Sequence, residues 1–223
     1  MSAVAIILRA SEACVLTDGA GIDESVGHLR WIGSKVYLLP KINAAASFMG
    51  PKDIGPALAD MLSIGENYDD AEARVGDVLR ERLEPERATI ERMTGMPMEF
   101  ALYVAGISEK RGPHSYMIQS IDHPLFAQIK AWTPFDAGPV WLSPGTDELL
   151  ATVDPARFDP VMDGIRIMEA QRQIAQPQGP QGEMRCIVGG FVQLTTIAGD
   201  AITTRIIHRW PDKIGERISP APG

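Results

Sequence analysis

Cysteine, histidine and aromatic residues are all scarce in this chain: two Cys, four His, and 6% Phe, Trp and Tyr among 223 residues. Cys14 and Cys186 stand alone, which argues against a disulfide framework or a thiolate metal site and reads each as a small buried hydrophobe. His28, His114, His123 and His208 show no ligand spacing, so no histidine metal site is expected. Long apolar runs are lacking too. The opening "AVAIILR" holds six apolar residues before Arg9, too few for a signal segment or a membrane span, so a cytoplasmic location with no membrane partner is expected. A basic field is also missing. Lys and Arg number 21 against 29 Asp and Glu, a net charge of −8, which speaks against a nucleic-acid partner. The sequence has no G-x-G-x-x-G, Walker, G-x-S-x-G, H-E-x-x-H or Cys/His signature, and no internal repeat.

What is present is an ordinary globular balance, with 45% hydrophobic and 22% charged residues, consistent with one domain over residues 1–223. Residues 3–9 and 13–18 are β-branched and apolar and predict a hairpin. "KVYLLP" and "INAAASFMG" predict a second, turning at Pro40-Lys41, with the small residues 44–47 placed where another backbone or a ligand comes close. Residues 19–34 between these hairpins read as a loop. Ile54, Leu58, Met61 and Leu62 then share one helical stripe. A second helix begins at Asp69-Asp70 and carries Val75, Val78, Leu79 and Leu83 inward as far as Pro85. Arg80, Arg82, Arg87 and Arg92, interleaved with Glu, read as a solvated helix face.

Strands return at 98–107 and 114–121, around "SEKRGP". Residues 138–150 predict a short strand running into a helix. Residues 159–175 predict a longer helix capped by Asp159, with Pro160 at its first position and Val161, Ile165 and Met168 on one face. "QPQGPQG" reads as a loop, residues 189–210 as a hairpin turning at 198–200, and residues 216–223 as a frayed tail. Such segregated blocks indicate an α+β fold with antiparallel sheets covered by helices.

With other nucleophile motifs absent, chemistry falls to the N-terminus. Removal of Met1 would leave Ser2 with a hydroxyl and a free α-amine, so one residue would supply nucleophile and base. Such a site needs a cation and a carboxylate to fix it. Asp18 at the end of the second strand and Lys35 at the start of the third are placed to meet Ser2.

Through "SAVAIILR…ACVLTDGAG…GSKVYLLP…INAAASFMG", and again at "RCIVGGFVQLTTIAGD", the chain resembles the proteasome-type N-terminal nucleophile hydrolases. The resemblance implies a four-layer αββα sandwich of two antiparallel sheets covered by helices, and a peptide or amide substrate. It implies Ser2 as nucleophile, Lys35 as electrostatic activator and Asp18 as its orienting partner. It further implies the backbone N–H near Ser47 as oxyanion donor and Ser143 in "LSPG" as a supporting hydroxyl. Homo-oligomers, and an ATPase partner, follow only by family analogy, and no cofactor or metal is implied. Cys186 and Val188 stand where active members carry a supporting Asp and Ser. The competing expectation is therefore a non-catalytic subunit of the same fold, acting as a scaffold or assembly protein.

Overall fold

The computed structural model describes residues 3–23, 25–51, 54–123, 127–178 and 182–220. Among them lie five α-helices and four antiparallel sheets, a mixed α/β architecture compatible with the α+β expectation.

The first hairpin is β1 (Val4–Leu8) and β2 (Glu12–Asp18), closed by the Arg9 N–H donating to the Glu12 carbonyl at 2.8 Å. Successive strand residues point to opposite faces, and β1 is apolar on both. Val4 and Ile6 join one buried cluster, whereas Ala3, Ala5 and Ile7 join another. Three further strands complete this sheet, β10 (Val140–Ser143), β13 (Phe191–Ala198) and β14 (Ala201–Arg209), in the order β10-β1-β2-β13-β14.

A second five-stranded sheet runs β5-β6-β7-β8-β9, comprising Val36–Leu39, Ala44–Met49, Ala101–Ser108, Gly112–Gln119 and Phe135–Asp136. On β7 the alternation is equally clean. Tyr103 and Ala105 share a cluster with Val4, Ile6 and Val15 of the first sheet, while Leu102 and Val104 face a cluster built with helices. That helical cover is α1 (Gly55–Leu62) and α2 (Tyr68–Leu83), which bury Leu58, Leu62, Val75 and Leu79. The first sheet's other face is met by α5 (Met162–Gln173) through Ile167 and Met168, and α4 (Asp147–Ala151) follows β10. Each such fully buried aliphatic side chain contributes on the order of 1.5–3 kcal/mol.

Helix starts follow local chemistry. Asn67 caps α2 by accepting the Asp70 N–H at 2.9 Å, and Asp69 and Asp70 sit at the positive end of the helix dipole. Asp159 accepts the N–H groups of Val161 and Met162 at 2.9 and 2.8 Å, so it caps the chain entering α5. Pro160 lies in the turn before that helix and not at its first position.

Several expectations need correction. The stretch 19–34 is not a loop but a ribbon of β3 (Ala20–Asp23) and β4 (His28–Ile32), whose irregular register at Gly21/Ile22 hides its alternation. A third helix, α3 (Arg87–Thr94), follows α2. It buries no residue fully, packs Ile90 against the cluster under α1 and α2, and carries ion pairs from Arg87 to Glu84 and Glu91. "QPQGPQG" contributes β11 (Gln176–Gln178), paired with β12 (Glu183–Arg185). The tail is tied to β4 as far as Ile218: Leu29 N–H donates to the Glu216 carbonyl at 2.8 Å, and Ile218 packs on Ala20 and Leu29.

Candidate active site

The site is built around Asp18, the last residue of β2. Register with β1 pairs Val4 with Thr17, which sets Asp18 across from Ala3. Strand β13 flanks it on the other side, with Val192 opposite. Its carboxylate is fully buried, and each oxygen accepts two hydrogen bonds. Oδ1 takes the Ala3 N–H at 3.0 Å and the Lys35 ammonium at 2.7 Å. Oδ2 takes the Ala20 N–H at 3.0 Å and the Gly189 N–H at 3.1 Å. A buried charge is tolerable only when paired and hydrogen-bonded, and here both conditions are met.

Lys35 reaches Asp18 because the β3–β4 ribbon is an excursion that returns to its origin. Gly33 N–H donates to the Gly19 carbonyl at 2.9 Å, and two residues later Lys35 enters β5. Only 9% of Lys35 is exposed, and among the described residues Asp18 is its one ion-pair partner. Burial pushes the Lys35 ammonium below the ordinary lysine range, while the charge and hydrogen bond of Asp18 oppose the shift. The result is a desolvated, fixed cation beside the entry to β1. Such a group can lower the pKa of a neighbouring amine or hydroxyl, or stabilise a developing anion.

Of the predicted residues, Asp18 and Lys35 are therefore brought together. Ser2 lies outside the described residues. Ser47 sits within β6, across from Val36 on one side and Tyr103 on the other, one register step from Lys35. Ser143 ends β10 opposite Val4, with its hydroxyl 3.7 Å from Met49 Sδ. Cys186 packs against the Ala20, Leu29 and Ile218 cluster, and Val188 is buried among Ala3, Ala5 and Val192.

The segment 186–190 nevertheless serves the site through its backbone. A Cβ on Gly189 would lie 2.5 Å from Asp212 Oδ2 and 2.9 Å from an Arg172 guanidinium nitrogen, so the side chains behind the turn leave no room for one, and Gly190 adopts a left-handed φ of 75°. Behind the turn, Arg172 and Asp212 form a buried bidentate pair with contacts of 2.6 and 2.8 Å. Arg172 also donates to the Val188 carbonyl at 2.7 Å, and Asp212 accepts the Gly190 N–H at 2.8 Å. Sequence reasoning missed this pair and both backbone donors. The Gly-Gly dipeptide was the one available signal of close approach. Thr17, next to Asp18, also escaped notice: its hydroxyl is buried and finds no hydrogen-bond partner among the described residues.

No protein-family model matches the chain, and no curated protein matches it. Among the described residues, no helix is long and apolar enough to cross a membrane.

Proposed function

We propose that this protein is a proteasome-like N-terminal nucleophile hydrolase acting on peptide or amide bonds through Ser2, once Ser2 is the first residue of the chain. The observation that carries this reading is the buried Asp18–Lys35 pair, tied by a 3.0 Å hydrogen bond to Ala3, the residue that follows Ser2. The clusters support it as well. Helices against the outer face of each sheet, with a third cluster between the sheets, fit a four-layer αββα sandwich.

In this reading the Ser2 hydroxyl attacks the substrate carbonyl and its proton passes to the α-amine. Lys35 lowers the pKa of the attacking group, and Asp18 holds Lys35 in place. The tetrahedral oxyanion is met by an N–H near Ser47. Collapse breaks the C–N bond, and the α-ammonium returns the proton to the departing amine. Water then hydrolyses the Ser2 ester by the reverse assignment of roles, with the α-amine as base.

A second reading, a non-catalytic subunit of a homo-oligomeric scaffold, is favoured by Cys186 and Val188, which offer Ser2 no carboxylate or hydroxyl where the family has them. Intact mass and probe labelling separate the two. A protein beginning at Ser2 that is labelled by a β-lactone or fluorophosphonate, with labelling lost in Ser2→Ala, supports the hydrolase. Unlabelled protein beginning at Ser2 removes it. Light scattering that gives the mass of a single chain removes the scaffold.

A further inference from the structure

We infer that the protein carries a second site, a small-molecule pocket that takes a neutral amide with an aromatic body. It lies between the short edge strands β9 and β10 and reaches Ser143 at the end of β10, and the inference rests on the cavity's own lining, not on Ser2 or the hydrolase reading.

Strand β9 has two residues and β10 four, so the space between the two sheets is not closed by strand side chains along this edge. Gln128, Ile129 and the start of α4 flank it instead, leaving a half-open cavity of ≈ 510 Å³. That volume is typical of small-ligand sites. Its wall is largely aromatic and apolar, with Tyr103, Met117, Phe135 and Trp141 around it and Ala101 leaving room beneath. Tyr103 and Trp141 pack on each other, ring centroids 5.9 Å apart at a 39° tilt, and together present an aromatic wall to the cavity.

One buried donor decides the chemical class. Gln119 is two residues beyond Met117 on β8 and so shares its cavity-facing side. It is 6% exposed, and its Nε2 finds no hydrogen-bond partner among the described residues. The Trp141 Nε1 is also buried, beside the Tyr103 hydroxyl, so Gln119 is the donor that carries the argument. Unpaired buried N–H groups favour a ligand that brings an acceptor, and a carbonyl answers them directly. Charge narrows the class further. Among the described residues no Lys or Arg lines the cavity, His123 is the one lining group that can carry a positive charge, and Asp147 stands at the mouth, so a carboxylate ligand meets no permanent cation and one fixed negative charge.

The test is a titration of the full chain, followed by calorimetry or ligand-observed NMR, with four probes of one shape: phenylacetamide, phenylacetate, phenethylammonium and toluene. Phenylacetamide is expected to saturate one site per chain and to bind about tenfold tighter than the other three, the effect of satisfying one buried donor. Gln119→Leu keeps the volume and removes the donor, so the amide's advantage over toluene falls to within about twofold while toluene still binds. Ala101→Phe fills the cavity and abolishes binding of all four, with thermal melts establishing that both variants are folded. The proposal is overturned by absence of saturable phenylacetamide binding, by tighter binding of either charged probe, or by a Gln119→Leu variant that retains the full amide preference. The probe series on the unmodified protein decides the matter even if a variant fails to fold.

Discussion

Replacing Asp18 by Asn keeps the shape of the side chain and removes its charge. The four donors around the carboxylate make the outcome calculable. An amide has one accepting oxygen, so its NH2 must face either the Ala20 and Gly189 N–H groups or the Ala3 N–H and Lys35. Either orientation orphans two buried donors, at about 1–3 kcal/mol each, and leaves Lys35 without its counter-charge. One-sided disruption of a buried pair costs roughly 3–5 kcal/mol, so a loss of about 4 kcal/mol is expected. In a chain of 223 residues this lowers Tm by roughly 8–16 °C. Lys35→Met should behave differently. Asp18 keeps three backbone N–H donors, enough to hold a carboxylate, and the methionine fills the lysine stem's space, so about 1 kcal/mol is expected. Urea unfolding of both single variants and the double variant closes the cycle, with the double variant less destabilised than the sum of the singles by at least about 1 kcal/mol. A Lys35→Met cost equal to or above that of Asp18→Asn, or strict additivity, would refute the asymmetry drawn from the hydrogen-bond count.

Three other expectations follow from local chemistry. Because burial lowers the Lys35 pKa, the unfolded chain binds that proton more tightly than the folded one. The wild-type protein should therefore gain stability relative to Lys35→Met as pH rises from 7 towards 10, and a pH-independent difference in unfolding free energy would contradict this. Burial, reinforced by Glu12, pushes the Cys14 thiol up to about 12, so a disulfide reagent at pH 8 should modify only the partly exposed Cys186 in native protein and both cysteines in guanidinium. Fast modification of two thiols in the native state would show that Cys14 is not enclosed. Asn67→Ala removes the cap of α2 and should cost about 1 kcal/mol in urea unfolding, with a value near zero showing that the cap is dispensable.

The elements that could be read from the sequence are those in which one period is unbroken. Strands β1, β2, β7, β8 and β13 are apolar on both faces or end at clear turn residues, and α2 repeats Val75, Leu79 and Leu83 at helical spacing. The β3–β4 ribbon breaks its alternation at Gly21/Ile22, so local pattern says nothing about it, whereas the helix face read through Arg87 and Arg92 belongs to α3, separated from α2 near Pro85. The site divides along a similar line. Asp18 and Lys35 were legible because each stands at the end of an apolar run, where a charged residue is conspicuous. The Ala20 and Gly189 N–H donors were not, because a backbone group has no residue-type signature and Gly189 lies 171 positions from Asp18. Arg172 and Asp212 looked like any surface charges until the turn at 188–190 placed them back to back.

The strand order β10-β1-β2-β13-β14 also has a consequence for biosynthesis. One edge of β2 is made to receive β13, yet roughly 170 residues must be synthesised between them. At about 5–20 residues per second the ribosome takes roughly 9–35 s to supply that partner. Throughout that interval the first hairpin has an open apolar flank, and Asp18 lacks its Gly189 donor. The nascent chain is thus most prone to strand pairing with its neighbours on a polysome before its last hairpin emerges, and a truncation that removes β13 and β14 leaves that flank open permanently.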